Sequence, residues 1–461
     1  MIDLKDLREN PDRYRRGAAR KGTQVDLDAL LAVDDRLRAA QTELQALTAE
    51  KNQIGKQIGQ LAGKFKKADS DAKAALQAEM KELQARPTQI KAKETELTEA
   101  VRALDADRQT LWLDIPQPPD DDVPDGTSAD DNVELARWSP NGFDVDKPFA
   151  DQRGFQPKTH IELGEALGLF DFERGTKIAG SRSYVLTGAG MRLHQAVLRF
   201  AFDTMIEAHG FTPLSVADLV RHEMMVGTGF FPHGRDQVYD IKNPTGDYGL
   251  ALTGTGEVGL MGFHQDEVLA EDDLPKTYVT VSTCFRREAG AAGKDTAGLY
   301  RVHQFDKVEQ VVICKADEAE SRAWHKKMMG YVEGLLRALE LPHRLLQCCT
   351  GDLGPKNADM IDIECWMPGR GDDGPDGRPT GAFGETHSAS RLYDYQCRRL
   401  NIRYKPADGG RNVVAHSLNN TVAASPRLLV PLLEMHQQAD GSIRIPQPLR
   451  PYMGGADAIR G

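Results

Sequence analysis

The chain lacks long apolar runs, paired cysteines and secretory features. Across 461 residues no window approaches 18 uncharged apolar positions, which excludes a membrane-spanning helix. The opening MIDLKDLRENPDRYRR is charged from its third residue and has no apolar centre, so no secretory signal is expected. Cysteine is scarce: Cys284, Cys314, Cys348, Cys349, Cys365 and Cys397 are the only six, none in a CxxC pair. That usage fits free thiols in a reducing cytoplasm, and with His233, His264 and His303 scattered no zinc site is expected. Aromatics make up only 7%, and basic residues are outnumbered 58 to 69, for a net charge of −11. An acidic balance argues against bulk attraction to nucleic acid while leaving room for a local basic patch. What is present, 40% hydrophobic and 28% charged residues, is an ordinary globular composition, and the length predicts two or three domains.

Heptads dominate the first quarter. Leu30, Leu37, Leu44 and Ile58 follow sevenfold spacing with Lys51 interposed, and Val33, Ala40, Leu47, Ile54 and Leu61 form an offset set. A second stretch spaces Leu76, Leu83, Ile90, Leu97, Leu104 and Leu111 the same way. A 3.5-residue repeat held this long is a coiled-coil seam. Gly63 to Ser70 supplies a turn, with Ser70 or Asp69 as N-cap of the second helix. The pattern predicts an antiparallel helical hairpin of about 35 to 40 residues per limb, projecting roughly 50 to 60 Å. Pairing between chains is the alternative, and Pro87 should kink the second limb. Lys51, Lys56, Lys64, Lys66 and Lys67 fall in one stretch that holds no acid. These lysines read either as a solvated helix tip or as a contact surface for a phosphate backbone.

The Pro- and Asp-rich stretch 115–132 reads as a linker between an N-terminal domain, 1–114 with its arm at about 27–112, and a globular body, 133–461. In the body, 278–281, 308–313 and 362–366 read as strands, and 190–209, 317–340 and 425–437 as helices. The fold class is α+β, without repeats or regular βαβ alternation. Gly254 to Gly259 matches GxGxxG, but no convincing helix is expected after it, which argues against a dinucleotide fingerprint. Around Gly290 to Asp295 a Walker loop fails, because Glu288 and Asp295 occupy positions that need glycine and Ser or Thr.

The stretch 283–310, TCFRREAGAAGKDTAGLYRVHQFDKVEQ, reads as a strand with Arg286 and Glu288, a Gly- and Ala-rich loop, and a second strand with Arg301, Phe305 and Glu309. Alternation would put each set on one face. Guanidinium forks bind phosphate and carboxylate, and an aromatic face stacks on a base, so the hairpin suits a nucleotide. A salt-bridged sheet surface would show the same residues. The segment resembles motif 2 of class II aminoacyl-tRNA synthetases, and specifically that of seryl-tRNA synthetases. MMVGTGFFP, CCTGDLG, CRRLNIRYK and QQADGSIRIPQPLRPYMGG resemble the same family in order, and the hairpin resembles its tRNA-binding arm. HSLNNTVAASPRLLVPLLE resembles motif 3.

The resemblance implies a body built on a mainly antiparallel sheet flanked by helices. It implies a serine pocket of Thr255, Glu257, Arg286, Glu309, Asn419 and Thr421. Arg286 would hold the serine carboxylate and the α-phosphate, Glu309 with Thr255 the ammonium, and Thr421 beside Asn419 the hydroxyl. ATP contacts fall on Arg286, Glu288, Arg301, Phe305, Glu385, Ser388 and Arg427. Arg286, Glu288 and Arg427 are then the catalytic residues, and Glu288 and Glu385 the contacts for Mg²⁺. Implied partners are serine, ATP and tRNA-Ser, with the selenocysteine tRNA where one exists, bound by a homodimer through Lys51 to Lys67, without a membrane. Three departures stand out: Ala217 where motif 1 usually has proline (Pro213 lies earlier), Gly256 in place of alanine, and 384–396, which leaves His387 and Arg391 near the ATP and serine sites without an assigned role. An amino acid:carrier-protein ligase and a silent RNA-binding paralogue are the competing readings.

Overall fold

The structure, a computed structural model, describes residues 1–243, 246–289, 297–374 and 377–461, apart from the side chains at 70, 71, 84, 85 and 88. Two compact units emerge, residues 4–15 with 24–115, and residues 1–3 with 16–23 and 116–461. The N-terminal boundary is therefore less simple than a cut at 114, because residues 16–23 belong with the body.

In the first unit α1 (Leu4–Glu9) and part of α2 (Pro11–Arg20) precede two long helices, α3 (Leu27–Phe65) and α4 (Ser70–Asp114). Asp26 accepts the amide of Ala29 and Asp69 that of Ala72, capping donors the helices cannot satisfy themselves. Leu30, Leu37, Ile54 and Leu61 are buried with Ile90, Leu97 and Leu104, and α3 packs along α4, so the seam closes within the chain. Lys51 with Glu94 (2.5 Å) and Arg86 with Glu50 (2.8 Å) bridge the antiparallel limbs. At 39 and 45 residues the limbs run about 58 and 67 Å, the second longer than the heptads alone suggest. Pro87 lies inside α4, which continues through it. The missing N–H interrupts the hydrogen-bond ladder without ending the helix.

The second unit is built on an eight-stranded sheet of β1 (Val133–Trp138), β2 (Thr212–Pro213), β3 (Lys276–Phe285), β4 (Gln304–Cys314), β5 (His343–Gln347), β6 (Asp359–Met367), β7 (Ala382–Tyr393) and β8 (His416–Ser425). Their order is β1-β5-β6-β7-β8-β4-β3-β2. Every pairing is antiparallel except β2 with β3. Alternation sorts β4 into two faces. Val308, Val312 and Cys314 join the main core with Leu193 and Val197 of α5 (Gly188–Glu207), Val332 and Leu336 of α6 (Glu318–Ala338), and Leu429 and Leu433 of α7 (Leu429–His436). Val311 and Ile313 enter a second cluster with Leu260 and Tyr278. Phe305, Lys307 and Glu309 share that second face, and it carries the cleft described below.

Residues 116–132 of the linker stretch group with the body. Residues 115–119 are buried, the amides of Gln117 and Asp120 donate to the carbonyls of Pro355 and Ala358, and Val123 packs on Cys348 and Leu353. Prolines bring no N–H to satisfy, so this segment buries its backbone at little cost.

Candidate active site

The cleft is set by two irregularities in the sheet. Between β6 and β7 the register runs from Ile363 opposite His387 to Glu364 opposite Glu385, leaving Thr386 as an extra residue. A bulge of this kind reverses the alternation, and so Glu385 and Ser388, at odd spacing, line one cleft. The same device between β4 and β8, Val308 opposite Ala423 and Glu309 opposite Thr421, puts Asn419 and Thr421 with Ala424 on the site side.

Arg286, Glu288 and Arg301 do not lie on the strands, as alternation led us to expect. β3 ends at Phe285 and β4 begins at Gln304, so all three sit on the arms beyond the ladder. Glu288 adopts a left-handed backbone, φ 52°, and its carboxylate accepts from Arg301 at 3.3 Å. The arms are held by the amide of Arg286, which donates to the His303 carbonyl (2.9 Å), with His303 Nδ1 2.9 Å from the Arg286 carbonyl. The loop between them, 290–296, lies outside the described residues.

The expected residues converge. Thr255, Glu257, Arg286, Arg301, Glu309, Glu385, Ser388, Asn419 and Thr421 line a cleft of about 730 Å³. Glu288, Phe305 and Arg427 line a narrow adjoining pocket that shares Arg286, Lys307, Glu385 and Thr421 with it. At the inner end, Glu309 is buried, with Asn419 Nδ2 and Thr421 Oγ1 each 3.4 Å from its carboxylate. Burial, reinforced by the charge of Glu257, raises its pKa above the usual carboxylate range, although Lys307 opposes the shift. Arg286 donates from Nε to the Gly254 carbonyl (3.3 Å), and its guanidinium lies over Phe305, 5.2 Å from the ring centroid. Arg427 bonds the Tyr300 carbonyl (3.0 Å), lies 3.5 Å from the Glu385 carboxylate and stacks over Tyr300.

Three functional neighbours escaped the sequence reading. Lys307 Nζ sits 2.6 Å from Glu309 and donates to Thr255 Oγ1 at 2.7 Å. Lys356 bonds both oxygens of Glu257 (2.7 and 2.8 Å), and Gln396 donates to the same carboxylate at 2.6 Å. Lys307 could have been found, standing two residues before Glu309 and so on the same strand face. Lys356 and Gln396 come from distant segments and left no local signal.

His387 and Arg391 are not site residues. His387 is buried outside the cleft lining, 2.8 Å from Thr386 Oγ1, and burial with the charge of His343 lowers its pKa to about 3. Arg391 is buried against Asp120 and Asp359. Gly256 has a steric reason: a Cβ there would lie 2.5 Å from Thr280 Cγ2 and 2.9 Å from Ser282 Oγ. A short helix, Glu257–Gly262, does follow Gly256, contrary to the sequence reading. Among the described residues the strand before it, Leu250–Leu252, pairs only antiparallel, which leaves no dinucleotide βαβ unit there. Among the described residues one group of metal-ligand type, Cys348, Asp352 and Asp362, brings its donor atoms within 4.8 Å.

Residues 1–117 match the seryl-tRNA synthetase N-terminal domain, and residues 239–436 the tRNA synthetase class II core domain (G, H, P, S and T). A serine–tRNA ligase of Deinococcus radiodurans is 43% identical over all of this chain and 99% of its own. One from Cutibacterium acnes is 40% identical, again over all of this chain and 99% of its own. The crystal structure of the Pyrococcus horikoshii seryl-tRNA synthetase complexed with ATP superposes with a TM-score of 0.83, at 36% identity, covering all of this chain and 99% of that one. With a helical hairpin, an antiparallel sheet and an arginine-lined cleft in one chain, and full-length likeness to these relatives, the chain belongs to the seryl-tRNA synthetase family of class II aminoacyl-tRNA synthetases.

Proposed function

We propose that the protein joins serine to ATP as seryl-adenylate, releasing pyrophosphate, and then passes the seryl group to the 3′ end of tRNA-Ser. The observation that carries this reading is the chemistry of the cleft lining: Glu309 and Thr255 can take an ammonium, and Arg286 in the same cleft is a fork for a carboxylate. Asn419 Oδ1 is buried without a hydrogen-bond partner, an acceptor suited to a hydroxyl proton. The narrow pocket beside the cleft is lined by Arg286, Phe305 and Arg427, an aromatic face and two guanidiniums that suit a base and its phosphates. Attack of a carboxylate oxygen on the α-phosphorus develops charge that fixed guanidiniums stabilise without reorganising. No protein nucleophile is required.

Glu288 and Glu385 line the same pocket, and carboxylate oxygens are the ligands Mg²⁺ takes alongside phosphate and water. They fit the ion, which when bound would neutralise the polyphosphate. On the arm, Lys56, Lys64, Lys66 and Lys67 are exposed and are our tRNA contacts. Lys51 is engaged with Glu94 and contributes through the arm's rigidity. A cytoplasmic homodimer, charging the selenocysteine tRNA where one exists, completes the reading.

The test is ATP–pyrophosphate exchange against serine, threonine, alanine, cysteine and glycine separately. Exchange with serine is expected, with alanine rejected strongly because the buried Asn419 Oδ1 would find no hydroxyl proton to accept. Exchange with another amino acid alone would overturn the specificity, and exchange with none would favour an RNA-binding paralogue.

A further inference from the structure

The serine pocket already contains an ammonium of its own. Lys307 Nζ lies 2.6 Å from the Glu309 carboxylate and 2.7 Å from Thr255 Oγ1. Those are the two acceptors that the proposed function gives to the α-ammonium of the substrate. The lysine is almost fully buried, as are Glu309 and Thr255. A carboxylate in such surroundings is stabilised by a paired cation and strongly destabilised without one. Charge is also balanced: Lys307 answers Glu309, and Lys356 answers Glu257 through two short bonds. The second pair is fixed further by Gln396, whereas Lys307 stands where the cleft and the narrow phosphate-side pocket meet and lines both.

We propose that Lys307 is a built-in placeholder for the substrate's ammonium, holding Glu309 and Thr255 in the empty pocket and giving up both bonds when serine enters. The inference rests on Glu309 and Thr255 being the ammonium acceptors. Serine binding is then an exchange of one ammonium for another, so Glu309 is never left buried and unpaired. The displaced Nζ remains on the cleft wall beside Arg286, on the side where the α-phosphate arrives. An α-hydroxy acid such as glycerate, which has a carboxylate and a hydroxyl but no ammonium, cannot displace the lysine and is excluded from the pocket by it.

The measurement is the serine dissociation constant of the full-length protein, without ATP, for the wild type, Lys307→Met and Glu309→Gln. A placeholder competes with serine, so Lys307→Met should bind serine as tightly as wild type or up to about tenfold more tightly. Glu309→Gln should weaken binding by about 10- to 100-fold, the range of a charge-assisted hydrogen bond. Weakening by Lys307→Met comparable to that of Glu309→Gln would overturn the proposal, since the lysine would then be a support for Glu309. If Glu309→Gln binds serine normally, the assignment of the ammonium site is wrong and the placeholder falls with it. A crystal structure of the wild-type protein with a non-hydrolysable seryl-adenylate analogue gives a reading that does not depend on variant folding. Lys307 Nζ should have left hydrogen-bonding distance of Glu309, with the ligand ammonium in its place; a lysine still bonded to Glu309 and Thr255 overturns the exchange.

Discussion

Arg286 is asked to do the most with one side chain. It sits just past the end of β3, bonded to the Gly254 carbonyl and lying over Phe305, and in the proposed reaction its one guanidinium serves both a carboxylate and a phosphate. Arg286→Ala should lower ATP–pyrophosphate exchange by about a hundredfold or more, as loss of a transition-state donor does, while the melting temperature changes little because the side chain is not part of a core. Near-normal exchange would remove the assigned role. His387 makes the opposite kind of contribution. Its folded pKa is lowered to about 3 by burial and by His343, against about 6.5 for a histidine in the unfolded chain. As pH falls below about 6.5 the unfolded state takes up a proton that the folded state refuses, so stability is full above that pH and drains away down to about pH 3. His387→Asn should flatten the slope of unfolding free energy against pH in that window, by up to about 1.4 kcal/mol per unit. An unchanged slope would show that His387 is not the group responsible. Asp362, whose pKa is pushed up by burial and by Glu385, acts with the other sign and loses its contribution as pH rises through the raised value.

At the scale of the element, the arm shows what the sequence could disclose. Leu30, Leu37, Leu97 and Leu104 announce their seam because a coiled coil is a local, periodic object, although the second limb runs to 45 residues, past the length its heptads disclose. The cleft was legible by chemistry but not by geometry. Glu385 and Ser388 share a wall only because Thr386 is bulged out, and no alternation rule applied to the chain reveals a bulge. Lys356 and Gln396 reach Glu257 from about 100 and 140 positions away, respectively, and such pairs exist only in the folded chain. His387 and Arg391 were misplaced for the same reason: the bulge and the partner Asp120 turn them away from the substrate side. For the arm itself, the exposed Lys64, Lys66 and Lys67 at its turn bear the phosphate-contact hypothesis. Replacing all three by alanine should raise KM for tRNA and reduce the slope of log affinity against log salt by about 2 to 3, near one for each phosphate no longer neutralised. Serine-dependent exchange should be untouched. Unaltered tRNA kinetics would mark the lysines as a solubilising tip.

At the scale of the whole molecule, the two units are interleaved in sequence, and this decides how the chain can be cut. Residues 16–23 belong with the body, and Lys21 shows why. Its Nζ, buried and with a pKa lowered by that burial to about 7, donates to the carbonyls of Gly354 (2.9 Å) and Asn357 (2.6 Å). Those residues flank Lys356, which bonds Glu257 in the cleft. A segment that precedes the arm therefore steadies a loop that lines the cleft. Two shortened proteins separate the roles. One removes residues 52–93 and closes the hairpin with a glycine turn where Lys51 meets Glu94; it keeps Lys21 and the basal seam of Leu30, Leu37, Leu97 and Leu104. It should exchange pyrophosphate with a serine KM within about twofold of the full chain, yet lose most seryl transfer, since Lys56, Lys64, Lys66 and Lys67, the proposed contacts to the tRNA phosphates, are removed. The other begins at Pro116 and loses Lys21 with the arm. The Asn357 carbonyl of the 354–357 loop then loses its buried donor, at about 1 to 3 kcal/mol for a group left unsatisfied, and the serine KM of this protein should rise well beyond that of the trimmed hairpin. Equal serine kinetics in the two proteins would show that residues 16–23 stabilise the body without shaping its pocket.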